Sequence, residues 1–385
     1  MGLGVTGTRA ETRADAIVVG GGIAGAAAAY FLARAGASVV LLEREPVLAH
    51  HTTGRSAALY LQNHGAPPVR RLTLASRAFL ESPPTGLVEA ALLSPRPSLE
   101  VGGPELIEVV RNHARSAVEL VPSSRLLDPI EAVAMCPVLR PEALGAAVLE
   151  PDSADIDVMA LHAGFIRGLR RAGGQVHTSA GVVALDRSAQ GWRARTAQEA
   201  LEAPVLVNAG GAWAAELAGL AGVAPVGLQP LHRTAFLATL PEGVDARGWP
   251  LVEDLGERWY FKPEGDGLLC SPADAALVPP GDARARDEDV ALAIEWINAV
   301  TTLGLRHVRS AWAGLRTFAP DRIPVVGLDP DAPGFVWLAG LGGFGIMTAP
   351  ALGVLAAGEA LGLPLDPGLA AVGVDPDDYR IGRLR

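Results

Sequence analysis

Arg316 lies in AWAGLRTFAPDR, behind an apolar stretch and with no carboxylate before Asp321. A guanidinium in apolar surroundings needs a countercharge, which either the protein or an anionic ligand must supply. Gly20, Gly22 and Gly25 occupy the positions of GxGxxG between an apolar run and an alanine-rich one. That spacing permits a tight turn, backbone contact with a pyrophosphate and close packing of helix on strand. His50–His51 and Asp155/Asp157 are of metal-ligating type, but a His pair without further spaced ligands makes no site, and acids ahead of a helix more often cap it. No metal is expected. Cys136 and Cys270 form no CxxC, so no disulfide framework is expected either.

The glycines need a particular frame, and residues 16–43 supply it: an apolar strand, the turn, a helix ending near Gly36 and a second strand ending at Glu43. This is a complete βαβ unit. Its helix would turn its positive end to the phosphates, and Glu43 would accept from ribose hydroxyls and repel a 2′-phosphate. The ligand is therefore FAD or NAD rather than NADP. A second GxGxxG, at Gly340, Gly342 and Gly345, precedes a terminal helix with no strand and acid after it. One dinucleotide held from both ends of the chain suits this better than two, and a flavin better than a nicotinamide.

The chain has 385 residues and a net charge of −10, which argues against nucleic acid as a partner. Lys262 is its one lysine. The first fourteen residues lack the apolar run of a secretory signal and read as a frayed tail. Residues 16–33 and 335–358 are uncharged but interrupted by glycines, and read as strand, turn and helix rather than membrane spans. The stretch GWPLVEDLGERWYFKPEGDGLLCSP reads as successive strands.

The N-terminal GGGIAG, LEREPVLAHHTTGRSAA (42–58), LLSPRP (92–97), ADID (154–157), VLVNAGGAW (205–213), AWAGLRTF (311–318) and GGFGI (342–346) stand in shared order and spacing. In these the chain resembles the D-amino-acid oxidase superfamily of FAD-dependent oxidoreductases, and within it is especially similar to bacterial D-arginine dehydrogenases. The resemblance implies an α/β fold with a discontinuous Rossmann-type FAD domain (1–80, 150–218, 317–385). A substrate domain with a mixed β-sheet would fill 81–149 and 219–316. It implies non-covalent FAD, since no cysteine accompanies Arg316. The cofactor would be held by Gly20, Gly22, Ile23, Ala24 and Gly25, by Glu43 and Arg44, and by Thr53, Arg55, Ser56, Ala57 and Ala58. Further contacts would come from Val183, Ala209, Gly210 and Trp213, and from Gly342, Gly343, Phe344, Gly345, Ile346 and Met347, the last three opening the final helix.

By the same resemblance Arg316 and Arg233 would clamp a substrate carboxylate, Tyr260 would cover the substrate, and the Gly343 carbonyl would accept from its amine. Oxidation of a D-amino acid to an imino acid, then to a 2-oxo acid and ammonia, is the implied activity. A quinone or artificial dye is the expected electron acceptor. A cytoplasmic place is expected, with peripheral contact at the inner face of the membrane allowed. Glycine- or sarcosine-oxidase-like chemistry yielding peroxide, and a flavoprotein subunit of a hetero-oligomeric dehydrogenase, stand as alternatives. The pocket departs from the D-arginine pattern at Ser98, where those enzymes carry an acid, and at Leu59 and His64. Glu253, two residues after Leu251, stands where they carry an aliphatic residue. A neutral pocket for apolar or small D-amino acids is expected, with Glu253 turned to solvent; facing inward, it would instead suit a D-lysine or D-arginine head group.

Overall fold

A computed structural model describes residues 12–385. The tail expected over 1–14 lies outside the described residues as far as residue 11. Thr12–Arg13 are not frayed, because they pair in parallel with Leu201 and Glu202.

Two large sheets organise the chain. The first has six strands in the order Gln175–His177, Val39–Leu42, Ala16–Val19, Val205–Asn208, Phe335–Ala339 and Val325–Leu328, parallel except for the last. Its central strands are apolar on both faces, as a sheet covered on both sides requires. Helix Ile23–Arg34 packs on helices Ala349–Leu361 and Val158–Arg171. Alanines allow the close approach: a Cβ on Gly353 would lie 3.0 Å from Ala27.

The second sheet has eight strands in the order Val308–Phe318, Gln229–Thr239, Gly267–Ser271, Tyr260–Glu264, Leu251–Asp254, Ser98–Gly102, Ala146–Glu150 and Arg125–Leu127. Strand alternation divides its faces. Phe236, Val252, Phe261 and Cys270 are buried in a core with helix Asp287–Val300. The opposite face carries Arg233, Glu253, Tyr260 and Arg316, and lines a cavity. The domain boundaries expected at 149/150 and 316/317 fall within the 146–150 and 308–318 strands. Phe344 to Met347 form a turn rather than the start of a helix; the helix begins at Ala349, where Pro350 can occupy its first turn, and it is followed by a short helix Pro367–Ala371.

Candidate active site

The turn after strand 16–19 is shaped by what cannot fit there. Gly20 has φ +115°, and a Cβ on it would overlap the Ala209 carbonyl; a Cβ on Gly25 would overlap the Gly20 carbonyl. Helix 23–34 has no side-chain cap of its own from Gly22. Thr53, brought in from the 52–55 turn, accepts from the Ile23 amide at 3.0 Å. Glu43 accepts from the Gly21 amide at 2.6 Å and the Glu45 amide at 2.8 Å, and both its oxygens keep lone pairs for a hydroxyl. Arg44 stacks 3.8 Å over Trp213.

Gly20, Gly22, Glu43, Arg44, Thr53 and Trp213 line a cavity of about 210 Å³. A larger one, of about 540 Å³, opens beside it. Both are bordered by Gly22, Thr52, Thr53, Ala209 and Gly211. A continuous track thus runs from Glu43 past the start of helix 23–34 to the second sheet, which fits an elongated dinucleotide.

In the larger cavity Arg316 and Arg233 each bury a side-chain Nε with no partner. Burial, and then the neighbouring Arg233 charge, push the Arg316 guanidinium down to about 10. An anion between the two would remove both penalties. The Arg316 head group lies against Gly343, where any Cβ would overlap it. Strand 308–318 is stitched to the 52–55 turn by Thr52 Oγ1 to the Leu315 carbonyl (2.8 Å), Trp312 Nε1 to the Arg55 carbonyl (2.9 Å) and Arg55 to the Ala313 carbonyl (3.0 Å). Behind Arg233, His232 Nδ1 lies 2.7 Å from Asp274 and its Nε2 2.9 Å from the Arg284 carbonyl. Both arginines therefore rise from a braced backbone.

His64 faces the same cavity, 5.3 Å from the Phe344 ring. Burial and then the Arg316 charge push it down to about 4, so it is neutral at physiological pH. The loop that carries it is held by Glu150, which is 2% exposed and accepts from Gln62 N (2.7 Å), Asn63 N (3.1 Å), Asn63 Nδ2 (2.9 Å) and Ser153 Oγ (3.0 Å). Glu253 lines the cavity across the ladder from Tyr260.

Residues 15–358 match the family model described as "DAO: FAD dependent oxidoreductase". The chain belongs to this family. FAD is the cofactor of this DAO-family oxidoreductase, and the two joined cavities with their glycine cradle accommodate it.

Human mitochondrial dimethylglycine dehydrogenase is 26% identical over 368 residues, 90% of this chain and 42% of its own length. The chain thus spans about two fifths of that relative. Glycine oxidase of Bacillus licheniformis is 27% identical, with 92% of this chain and 94% of the relative covered. Among solved structures, glycine oxidase from Geobacillus kaustophilus superposes with a TM-score of 0.82 at 22% identity over 94% of this chain and 99% of that one. L-proline dehydrogenase from P. horikoshii gives 0.83 at 20%, over 98% and 100%. At these identities the structures establish the DAO fold. The relatives support the family and do not single out its D-arginine dehydrogenase branch.

Ile23, Ala24, Ser56, Ala57, Ala58, Leu59, Leu251 and Gly342 to Met347 line the larger cavity, and Gly210 and Trp213 the smaller. Two expectations need correction. Ser98 is not a pocket residue: it is 1% exposed, absent from the cavity wall, and its Oγ lies 3.3 Å from Ser153 Oγ. Val183 is 61% exposed, and Gly181 and Val182 line the nucleotide cavity instead. Arg55 borders the larger cavity, with its guanidinium held by Asp282 (2.6 Å) and the Ala283 carbonyl (2.9 Å). Asp157 caps helix 158–171 through the Ala160 amide, while Asp155 pairs with Lys262 Nζ at 2.7 Å and with Arg96. Leu231 and Ala235, cavity neighbours of Arg233, were missed, although strand alternation about Arg233 marks both.

Proposed function

We propose that this DAO-family enzyme oxidises an α-amino acid of D configuration to its imino acid, which water converts to a 2-oxo acid and ammonia. The observation that supports it is the pair of arginines whose buried Nε atoms lack partners in a cavity continuous with the cofactor track. A carboxylate bound between them would be fixed in direction as well as place. The Gly343 carbonyl is the proposed acceptor for the amine, and Tyr260 the proposed cover. FAD, when bound, accepts the Cα hydrogen and its electron pair.

The residues supply binding and orientation rather than a strong base. His64, pushed down to about 4, is too weak to take a proton from an ammonium group. Two guanidinium charges instead favour an amine that has already lost its proton to solvent. Turnover should accordingly rise with pH as the substrate amine becomes neutral. A quinone or dye is the proposed electron acceptor.

A second reading, oxidation of glycine or an N-methylated glycine with release of peroxide, is supported by the glycine oxidase whose length this chain nearly spans. Anaerobic addition of D-amino acids, their L enantiomers, glycine, sarcosine and dimethylglycine to the flavoprotein separates the readings. Rapid bleaching by a D-amino acid, followed by slow reoxidation in air, is expected. Bleaching by L enantiomers as fast as by D, or by the glycines alone, overturns the proposal.

A further inference from the structure

The cavity has two chemically opposite ends, and a role for the far one rests on the proposed oxidation of an amino acid. Arg316 and Arg233 stand on the two strands at one edge of the eight-stranded sheet. Glu253 stands on strand 251–254, three ladder steps from Arg233's strand, or about 14 Å at backbone level. Inward-reaching arginine and glutamate side chains leave between them a gap on the scale of an extended amino acid.

Glu253 differs from the acids around it. Glu100, its neighbour on strand 98–102, is ion-paired with His113 of helix Ile107–Leu120 at 3.0 Å. Glu150 is saturated by the loop amides. Glu257 also borders the cavity, but from the exposed turn that follows Glu253's own strand. Among the described residues the Glu253 carboxylate has no hydrogen-bond or ion-pair partner, and it lines the cavity. The sequence expectation that it turns to solvent fails because its strand alternation places it inside.

We propose that Glu253 is the specificity-determining residue of this cavity, taking a neutral side chain at the far end of the substrate while it carries a proton and a cationic one when ionised. The groups facing it support this. Burial first, then the charges of Glu100, Glu150 and Glu257, raise its proton affinity well above the usual carboxylate range, and only Arg316 opposes them. Tyr260 faces it from the adjacent strand, His64 is neutral, and His113 is spent on Glu100. While Glu253 holds its proton it offers the far end of the cavity a neutral partner. Raising the pH, or bringing in an ammonium or guanidinium group, draws the proton off.

The test is the ratio of kcat/KM for D-arginine to that for D-methionine, measured against pH in the wild type and in Glu253→Gln. Titration of the α-amine affects both substrates and divides out. In the wild type the ratio should climb, approaching tenfold per pH unit below the Glu253 midpoint, because a cationic substrate binds with loss of one proton. In Glu253→Gln it should be low and flat. Kd values from perturbation of the flavin spectrum should follow the same pattern. A flat wild-type ratio, or a climb that persists in the Gln variant, overturns the assignment while leaving D-amino acid oxidation intact. Failure of both substrates to bleach the flavin removes the underlying reading and this inference with it.

Discussion

At the glycine turn the atoms presented to the ligand are peptide groups, and the turn has its shape because Gly20 and Gly25 leave no room for a Cβ. Across the cavity the presented atoms are the ends of long side chains, Arg233, Glu253, Tyr260 and Arg316, raised from a sheet whose other face is apolar core. The first region tolerates almost no change of residue and the second can be rewritten one side chain at a time. That difference explains how one cradle can be kept while the chemistry opposite it varies.

The sharpest way to break the contrast is at Gly25. Valine there must displace the Gly20 carbonyl, which is backbone and cannot swing aside, so a cost of about 3 kcal/mol or more is expected. Gly25→Val should purify without flavin colour or fail to accumulate. Full flavin occupancy with wild-type thermal stability would show that the turn is not rigid.

Arg316→Ala tests the other side. FAD should stay bound while kcat/KM falls by the equivalent of about 2 to 5 kcal/mol, the loss of a charged, two-pronged contact. Arg316→Lys should recover only part, since an ammonium group cannot offer two parallel donors. Unchanged saturation with a D-amino acid in both variants would remove the carboxylate clamp.

The same contrast governs what could be read from residue types. The cradle was legible because its backbone geometry demands glycine at fixed spacing, followed by an acid at a strand end. Arg316 was legible as a charge without a partner. Ser98 was misplaced because its strand's pairing with 251–254 and 146–150, not its distance from LLSPRP, decides what reaches the cavity. The inward turn of Glu253 likewise depends on strand register, which is set by residues far along the chain. Glu150 gave no signal: a glutamate that ends an apolar strand looks exposed until the Gln62–Asn63 loop is seen to close over it.

Glu150→Gln therefore probes a buried charge outside the cavity. The amide cannot accept all four donors, and its NH₂ would oppose Asn63 Nδ2, so a loss of about 1.5 to 3 kcal/mol is expected. Burial raises the Glu150 pKa, so the folded state binds this proton more tightly than the unfolded chain. Wild-type stability from this group is thus greatest at low pH and declines as pH rises from about 4.5 through the higher folded value. The stability gap to the Gln variant should narrow over that window. KM should rise, through the loosened His64 loop, while flavin content holds. A widening gap with rising pH would show that the carboxylate is instead stabilised in its ionised form.

The smallest effect belongs to Asp157, which in the sequence invited comparison with Asp155 as a metal pair. Asp157 accepts from the Ala160 amide at 2.8 Å at the start of helix 158–171, satisfying one of the amides a helix leaves free. Alanine there removes a cap and nothing else, at about 1 kcal/mol. Helix 158–171 also carries His162, whose Nε2 lies 2.9 Å from the Gly21 carbonyl in the cradle, so the cap is tied indirectly to the nucleotide turn. If packing of the helix holds His162 in place, Asp157→Ala should lower Tm by only about 1 °C, with flavin content and kcat/KM unchanged. Loss of flavin without a matching fall in Tm would mean that the helix start, and not its packed body, sets the turn.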